Sequence, residues 1–357
     1  MIASLVLVAG SAVAGVTRSR AAGERPRAHR ITFQEWLYPG PAGSPTCLAT
    51  REFTDGRVRH GVLKPEYMDV NNSGRLYLRP AGQRADACNG YSPRNAAQVR
   101  KWSARQFMTI SLDTLHQEEA LTSSPAKVAA AVRRLTSFVK AIHFTGVDVD
   151  FENYWSWKGP DAARYYAFLR KLALGLHAAG LRLQVDGPAD FNTPFNYGRV
   201  LATGADQVIV MAYDDEFGWP PSTTCKAITP LRWLRSVVTS ALGEIPKTQR
   251  NRLVVGLPSY GYVASDRCQD ITSNMSFDQM KREPGFSSKP SVIASRRGSG
   301  SLEIRWSSHG RFFDYVDQKA MDAKLAVVEK LGIRNVSVWV LGGDNPWFSA
   351  RALRGAR

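Results

Sequence analysis

No apolar run in this 357-residue chain reaches the roughly 18 residues that a membrane span needs, which excludes a multi-span protein. No G-x-G-x-x-G follows the first strand candidate, and no Walker-A pattern occurs, so the nucleotide-binding motifs are missing. The six His residues never fall in H-E-x-x-H spacing, which argues against a zinc hydrolase and leaves neither metal nor cofactor expected. A G-x-S-x-G elbow is absent too. Of the four cysteines, Cys47, Cys88, Cys225 and Cys268, none stands in a C-x-x-C pair, so zinc-ribbon and thioredoxin-type chemistry lose support. Acidic residues are the scarcer sign: 31 Asp+Glu against 47 Lys+Arg give a net charge of +16. Such a balance suggests an anionic partner, whether nucleic acid, membrane surface or an acidic polymer such as a cell wall. No nucleic-acid recognition motif accompanies it, so nucleic acid is not expected. At 44% hydrophobic and 22% charged residues, the composition is that of a packed domain and not of a disordered chain.

Ile2 to Val16 form a short Ala-, Val- and Leu-rich stretch, and Ala12-Val13-Ala14 reads as a small-x-small cleavage site. Together these predict a signal peptide over residues 1–14, although no Lys or Arg precedes the apolar run. Residues 15–29 read as a basic linker; Arg18 to Arg30 hold five Arg and no apolar period. The expected location is therefore secreted or cell-envelope. An even cysteine count in an exported chain favours disulfides. Three pairings are open, and Cys47–Cys88 with Cys225–Cys268 is preferred, because each pair flanks one loop region. Non-reducing mass spectrometry of the secreted protein should then show no free thiol; four alkylated cysteines without reduction would overturn the expectation.

From residue 30, apolar strand candidates alternate with helical patterns. The strands are Ile31 to Leu37, Gln106 to Leu112, Val147 to Phe151, Leu181 to Val185, Val208 to Met211, Leu253 to Leu257 and Val336 to Val340. Ser124-Pro125 looks like an N-cap followed by Pro at the first helical position. Val128, Val132, Leu135, Val139 and Ile142 then follow at helical spacing. A second helix opens at Pro160-Asp161 and stops at Gly180, and others lie near Pro230 to Leu242 and Asp317 to Leu331. Repeated strand–helix units predict an α/β fold, a (β/α)₈ TIM barrel over residues 30–350. Ser-, Gly-, Arg- and Lys-rich residues at about 262–310 read as a small insertion before the last strand. A doubly wound open sheet is the alternative.

The segment Thr145-Gly146-Val147-Asp148-Val149-Asp150-Phe151-Glu152 alternates acidic and apolar residues. In a strand, residues two apart share a face. Three carboxyls therefore point one way, and Val147, Val149 and Phe151 the other. In a barrel the apolar set would pack on helices and the acids would face the lumen. Glu152, last in the run, would reach the C-terminal rim, where barrel active sites lie. Crowded, desolvated carboxyls favour retaining a proton, which is what a general acid requires. A half-exposed strand with acids facing water is the structural alternative, but two long amphipathic helices flank this one.

The same segment resembles the D-x-x-D-x-D-x-E signature of the family-18 glycoside hydrolases, the chitinase family. Thr145 stands where that pattern has its first Asp, which puts the deepest part of the ladder in question. Met211-Ala212-Tyr213-Asp214, Gly256-Leu257-Pro258-Ser259-Tyr260-Gly261 and Val338-Trp339 resemble further family motifs, in order. Val62-Leu63-Lys64-Pro65-Glu66-Tyr67, and Leu341-Gly342, resemble the bacterial cell-envelope branch. The resemblance implies that Glu152 is the acid/base, that Asp150 and Asp148 assist it, and that Tyr213 holds the substrate acetamide. It places Trp339 as the floor under the sugar, with Asp214, Met211 and Tyr260 as further substrate contacts. The implied activity is retaining, substrate-assisted hydrolysis of β-linked N-acetylglucosamine polymers: chitin, chitooligosaccharides or peptidoglycan, with an anionic cell-wall surface as a further partner. A chitinase-like lectin that binds chitin without turnover is the rival. Trp339 and Tyr213 could also be plain core residues. Trp36, read as a substrate contact, and Trp155, Trp157, Trp219 and Trp347 lie near expected rims, each a sugar platform or equally a packing residue.

Overall fold

A computed structural model describes residues 31–38, 60–79, 90–215, 225–265, 270–286 and 300–341. The segments expected as signal peptide and linker lie outside these residues, as do Cys47, Cys88, Cys268, Trp219 and Trp347. Cys225 is disulfide-bonded, with its partner outside the described residues.

Eight parallel strands close a barrel. They are β1 (Thr32–Leu37), β2 (His60–Val70), β4 (Ser103–Leu112), β5 (Gly146–Phe151), β6 (Arg182–Gly187), β7 (Gln207–Met211), β8 (Leu253–Pro258) and β13 (Asn335–Trp339). Their order is β1-β13-β8-β7-β6-β5-β4-β2, and β2 pairs back on β1 to complete the ring. A short β3 (Leu76–Leu78) adds antiparallel to β2. Helices α1 (Pro93–Trp102), α2 (Leu115–Thr122), α3 (Pro125–Ala141), α4 (Gly159–Ala178), α5 (Tyr197–Ala202), α6 (Leu231–Glu244) and α8 (Gln318–Lys330) lie between strands. This is the (β/α)₈ TIM barrel that the strand–helix rhythm predicts.

Local chemistry sets the helix ends. Ser124 caps α3 by accepting from the Lys127 amide, with Pro at the first turn. Val128, Ala131, Leu135 and Val139 of α3 are buried. In α4, Tyr165, Phe168, Leu169, Leu172 and Leu176 are buried, and the chain leaves the helix through Gly180 at φ +74°. The outward face of β5 meets this layer: Phe151 stacks on Phe168 with ring centroids 5.8 Å apart. Burying each such side chain contributes about 1.5–3 kcal/mol, and this packing fixes which way the alternate residues of β5 point.

Between β8 and α8, strands β9 (Gly261–Ser265), β10 (Thr272–Met275), β11 (Ile304–Ser308) and β12 (Arg311–Tyr315) form a separate antiparallel sheet in the order β10-β9-β12-β11, with the short helix α7 (Phe277–Met280). It is tied to the barrel wall by Glu303, which pairs with Lys324 of α8 at 2.7 Å, both fully buried, and accepts from the Ile228 and Thr229 amides.

Two barrel elements carry no sequence signal of their own kind. β2 reads as HGVLKPEYMDV, with Lys, Pro and Glu in its middle, and α1 is short and weakly apolar. Val62 to Val70 of β2 are nonetheless buried, the strand facing a polar lumen on one side.

Candidate active site in the barrel mouth

Three neighbouring strands build the carboxylate wall. On β5, Asp148 pairs in register with Thr109 of β4, and Asp150 with Ser111. Asp148 is fully buried and Asp150 nearly so. Asp148 Oδ2 accepts from Trp36 Nε1 at 3.1 Å and from Thr109 Oγ1 at 3.0 Å. Lys64 Nζ lies 3.2 Å from the same oxygen and 3.7 Å from Asp186 Oδ1 on β6. Burial, then the charge of Asp148, pushes Asp186 well above the usual carboxylate range. Burial, then Glu152, does the same to Asp150. Asp150 Oδ1 is buried and has no hydrogen-bond partner among the described residues.

Glu152 follows β5, its amide donating to Leu112 O at 2.9 Å. It is open to solvent in the barrel mouth, yet protein crowds it closely enough to push its carboxyl to about 7, with Asp113 adding repulsion. The loop behind it is clamped by Glu118 of α2. Asn153 Nδ2 donates to Glu118 Oε2 at 2.6 Å, and Trp157 Nε1 to the same oxygen at 2.8 Å.

The opposite wall comes from the ends of β7 and β8. Tyr213 and Asp214 are half-buried, and Met211 is buried beneath them. Tyr260 is buried and donates to Asp214 Oδ1. Burial and Glu152 push Asp214 to about 7. Gly256 makes room for this wall: a Cβ there would sit 3.1 Å from Tyr213 Cε1 and 3.0 Å from Val210 O. Trp339 is half-buried at the end of β13, edge-on to Trp36 at 5.9 Å and tilted to Tyr38 at 5.5 Å. Ser259 fixes its backbone, the amide donating to Trp339 O and the hydroxyl to Val340 O, each at 2.7 Å.

The structure thus brings Asp148, Asp150, Glu152, Tyr213, Asp214, Met211, Tyr260 and Trp339 to one end of the barrel. Trp36 is a correction. Expected at the rim, it is 1% exposed, its ring lies 3.3 Å beneath Lys64 Nζ, and it supports Trp339 and Asp148 from below. Among the described residues Trp155, just after Glu152, is 58% exposed, whereas Trp157 is buried. Thr145 lies at the foot of β5 and its hydroxyl accepts from the Gln106 amide at 3.1 Å.

Sequence reasoning missed Asp186 and Glu118, and met Lys64 and Glu66 only as part of a motif, with no role in the site. Glu66 sits with Asp69, Arg79 and Ser111 near the mouth. Ser111 Oγ is 2.6 Å from Glu66 Oε1 and 2.7 Å from Asp69 Oδ1. One hydroxyl proton serves both contacts if Glu66 is protonated and donates to Ser111, and burial indeed pushes Glu66 to about 7.

Glu66 and Glu118 are both buried, and burial raises each to about 7. A carboxyl raised on folding gives stability at low pH that is lost as pH climbs from its unfolded value, near 4.3, through 7. The melting temperature should therefore be higher at pH 5 than at pH 8. A calorimetric melt showing the reverse order would refute the buried-proton assignment.

Residues 117–344 match the family model described as Glycosyl hydrolases family 18. The chain belongs to that family. The "Uncharacterized glycosylase YvbX" of Bacillus subtilis is 22% identical over 63% of this chain and 65% of its own. The "Cortical fragment-lytic enzyme" of the same organism is 25% identical over 57% of this chain and 48% of its own. The chain therefore spans less than two thirds of these curated relatives. Among solved structures, a chitinase from Chromobacterium violaceum superposes with a TM-score of 0.68 at 18% identity, over 91% of this chain and 98% of that one. The spore cortex-lytic enzyme SleL of Bacillus megaterium gives 0.67 at 17% identity, over 92% and 74%.

Proposed function

We propose that this family-18 member is an exported retaining hydrolase of β-linked N-acetylglucosamine glycans, with Glu152 as acid/base. The observation that carries the reading is the lumen-facing run of Asp148, Asp150 and Glu152, ending on a solvent-open carboxyl held near 7 beside Tyr213 and Asp214. The matched relatives include a cortical fragment-lytic enzyme and chitinases, and a tobacco chitinase in this structural group was solved with NAG4. These support a glycan of that class; chitin and peptidoglycan both fit it.

Glu152, protonated, gives its proton to the glycosidic oxygen as the anomeric C–O bond breaks. The substrate's own acetamido oxygen attacks the anomeric carbon, so no enzyme nucleophile is needed. The unpartnered Asp150 Oδ1 offers an acceptor to the acetamide N–H and stabilises the cyclic cation. Tyr213 donates to the acetamide region, and Trp339 lies under the sugar's C–H face. Glu152, now ionised, takes a proton from water as it attacks, with retention. Export is supported by the N-terminal apolar run and by the bonded Cys225.

The test is turnover of chitotetraose and of peptidoglycan strands, analysed by mass spectrometry. Saturable binding without product from either would leave the lectin. A proton donor near 7 also means that kcat/KM falls as pH rises past about 7; an undiminished rate at pH 9 would exclude Glu152 as the acid. Asp150→Asn should retain the melting temperature within a few degrees and lose about 10²-fold in kcat, since it keeps the shape but replaces an ionisable oxygen with an amide. Wild-type kinetics from that variant would remove its role.

A further inference from the structure

The connections that lead into the strands gather cations at the end of the barrel opposite the active site. Between α6 and β8 the chain reads Pro246-Lys247-Thr248-Gln249-Arg250-Asn251-Arg252, and between α8 and β13 it passes Lys330 and Arg334. Lys247, Lys330 and Arg334 are exposed. Arg250 and Arg334 line a cavity of about 610 Å³ together with Asn251 and Asn335. Arg250 Nε is buried and has no hydrogen-bond partner among the described residues. Leu242, Leu253, Leu331 and Ile333 also line the cavity, and the polar groups it offers include two guanidinium forks, the donor type that suits a phosphate oxygen.

The acids nearby do not neutralise this patch. Asp206 is engaged by Arg182 at 2.6 Å and His177 at 2.9 Å. Glu244 accepts from the Tyr197 amide at 2.8 Å. Glu329 is exposed and sets one negative charge against four cations. Arg252 is excluded from the count, because it donates to the carbonyls of Ala205 and Asp206.

We propose that this face docks a phosphate-bearing polymer of the cell wall, holding the enzyme in the wall while the opposite mouth works on glycan. The proposal rests on the wall-glycan reading for its choice of polyanion. A flat membrane held by this face would turn the mouth away from the surface. A polymer interleaved with glycan strands in three dimensions reaches both ends at once. The exposed large apolar residues among those described, Tyr77, Trp155 and Leu174, lie on other elements, so the described part of this face presents none to lipid.

The test is sedimentation of the full chain with purified bacterial walls, before and after hydrofluoric acid removes their phosphate polymers. Wild type should bind intact walls at about 0.05 M salt, lose them at about 1 M, and fail to bind stripped walls. Lys247→Glu/Lys330→Glu/Arg334→Glu changes exposed residues alone, and its binding should drop about a hundredfold. Arg250→Gln should weaken binding further in that background. Unchanged wall binding by the triple variant, equal binding to stripped walls, or preference for anionic vesicles would each overturn the proposal. Melting curves identify any variant that has failed to fold, and the triple charge variant should turn over chitotetraose as wild type does. A wild type that sediments with walls but releases product from neither chitotetraose nor peptidoglycan strands would sink the hydrolase reading and not the docking face.

Discussion

Glu152→Gln is expected to lower kcat on a chitooligosaccharide by about 10³-fold, with KM changed little and the melting temperature retained. The amide fills the same space but carries no proton of suitable acidity. Its effect should exceed that of Asp150→Asn, because Glu152 both donates the first proton and accepts the second. Glu152 is solvent-open, so its removal leaves no buried group orphaned and the fold should be indifferent. Single-turnover product formation separates the chemical step from binding. A variant that retains even a tenth of wild-type kcat would defeat the acid/base assignment.

Lys64→Met should be the most destabilising single change in the lumen. Lys64 Nζ is fully buried between Asp148 and Asp186, and removing one partner of such an arrangement costs about 3–5 kcal/mol. Met keeps the volume, so the loss is electrostatic and not a cavity. Lys64 is the group that draws the Asp186 carboxyl down against burial and Asp148, so without it Asp186 is pushed higher still. Urea melts measure the deficit. A loss below about 1 kcal/mol would show that Lys64 adds no net electrostatic stabilisation to the lumen.

How much of this was legible beforehand follows from the two faces of each strand. β5, β7 and β8 read as strands because their outward residues are Val, Leu and Phe packed on helices, and the alternation in β5 exposed the acids at once. β2 was not legible, since Lys64-Pro65-Glu66 looks like a turn unless the lumen is known to be charged. Asp186 was hidden for a related reason. Asp186-Gly187 at the end of an apolar run looks like a turn, but is the last inward step of β6. Glu118 lies in a short helix that carries little amphipathic pattern, and only the fold brings it under the Glu152 loop. Trp36 was placed too high, because sequence does not give depth along a strand.

The lumen has two unlike sides. Trp36, Ile209, Val254 and Val340 form an apolar cluster within it, capped by Trp339, while Lys64, Asp148, Asp150 and Asp186 occupy the other side. A pyranose is similarly two-sided, with a hydrocarbon face and a ring of polar substituents. Turned over, it would press hydroxyls on indole and leave carboxyls against C–H bonds. On the proposed function, the mouth above this interior, with Trp339 on one side and Asp150 and Glu152 on the other, would therefore act as a handedness gauge, admitting one presentation of the sugar.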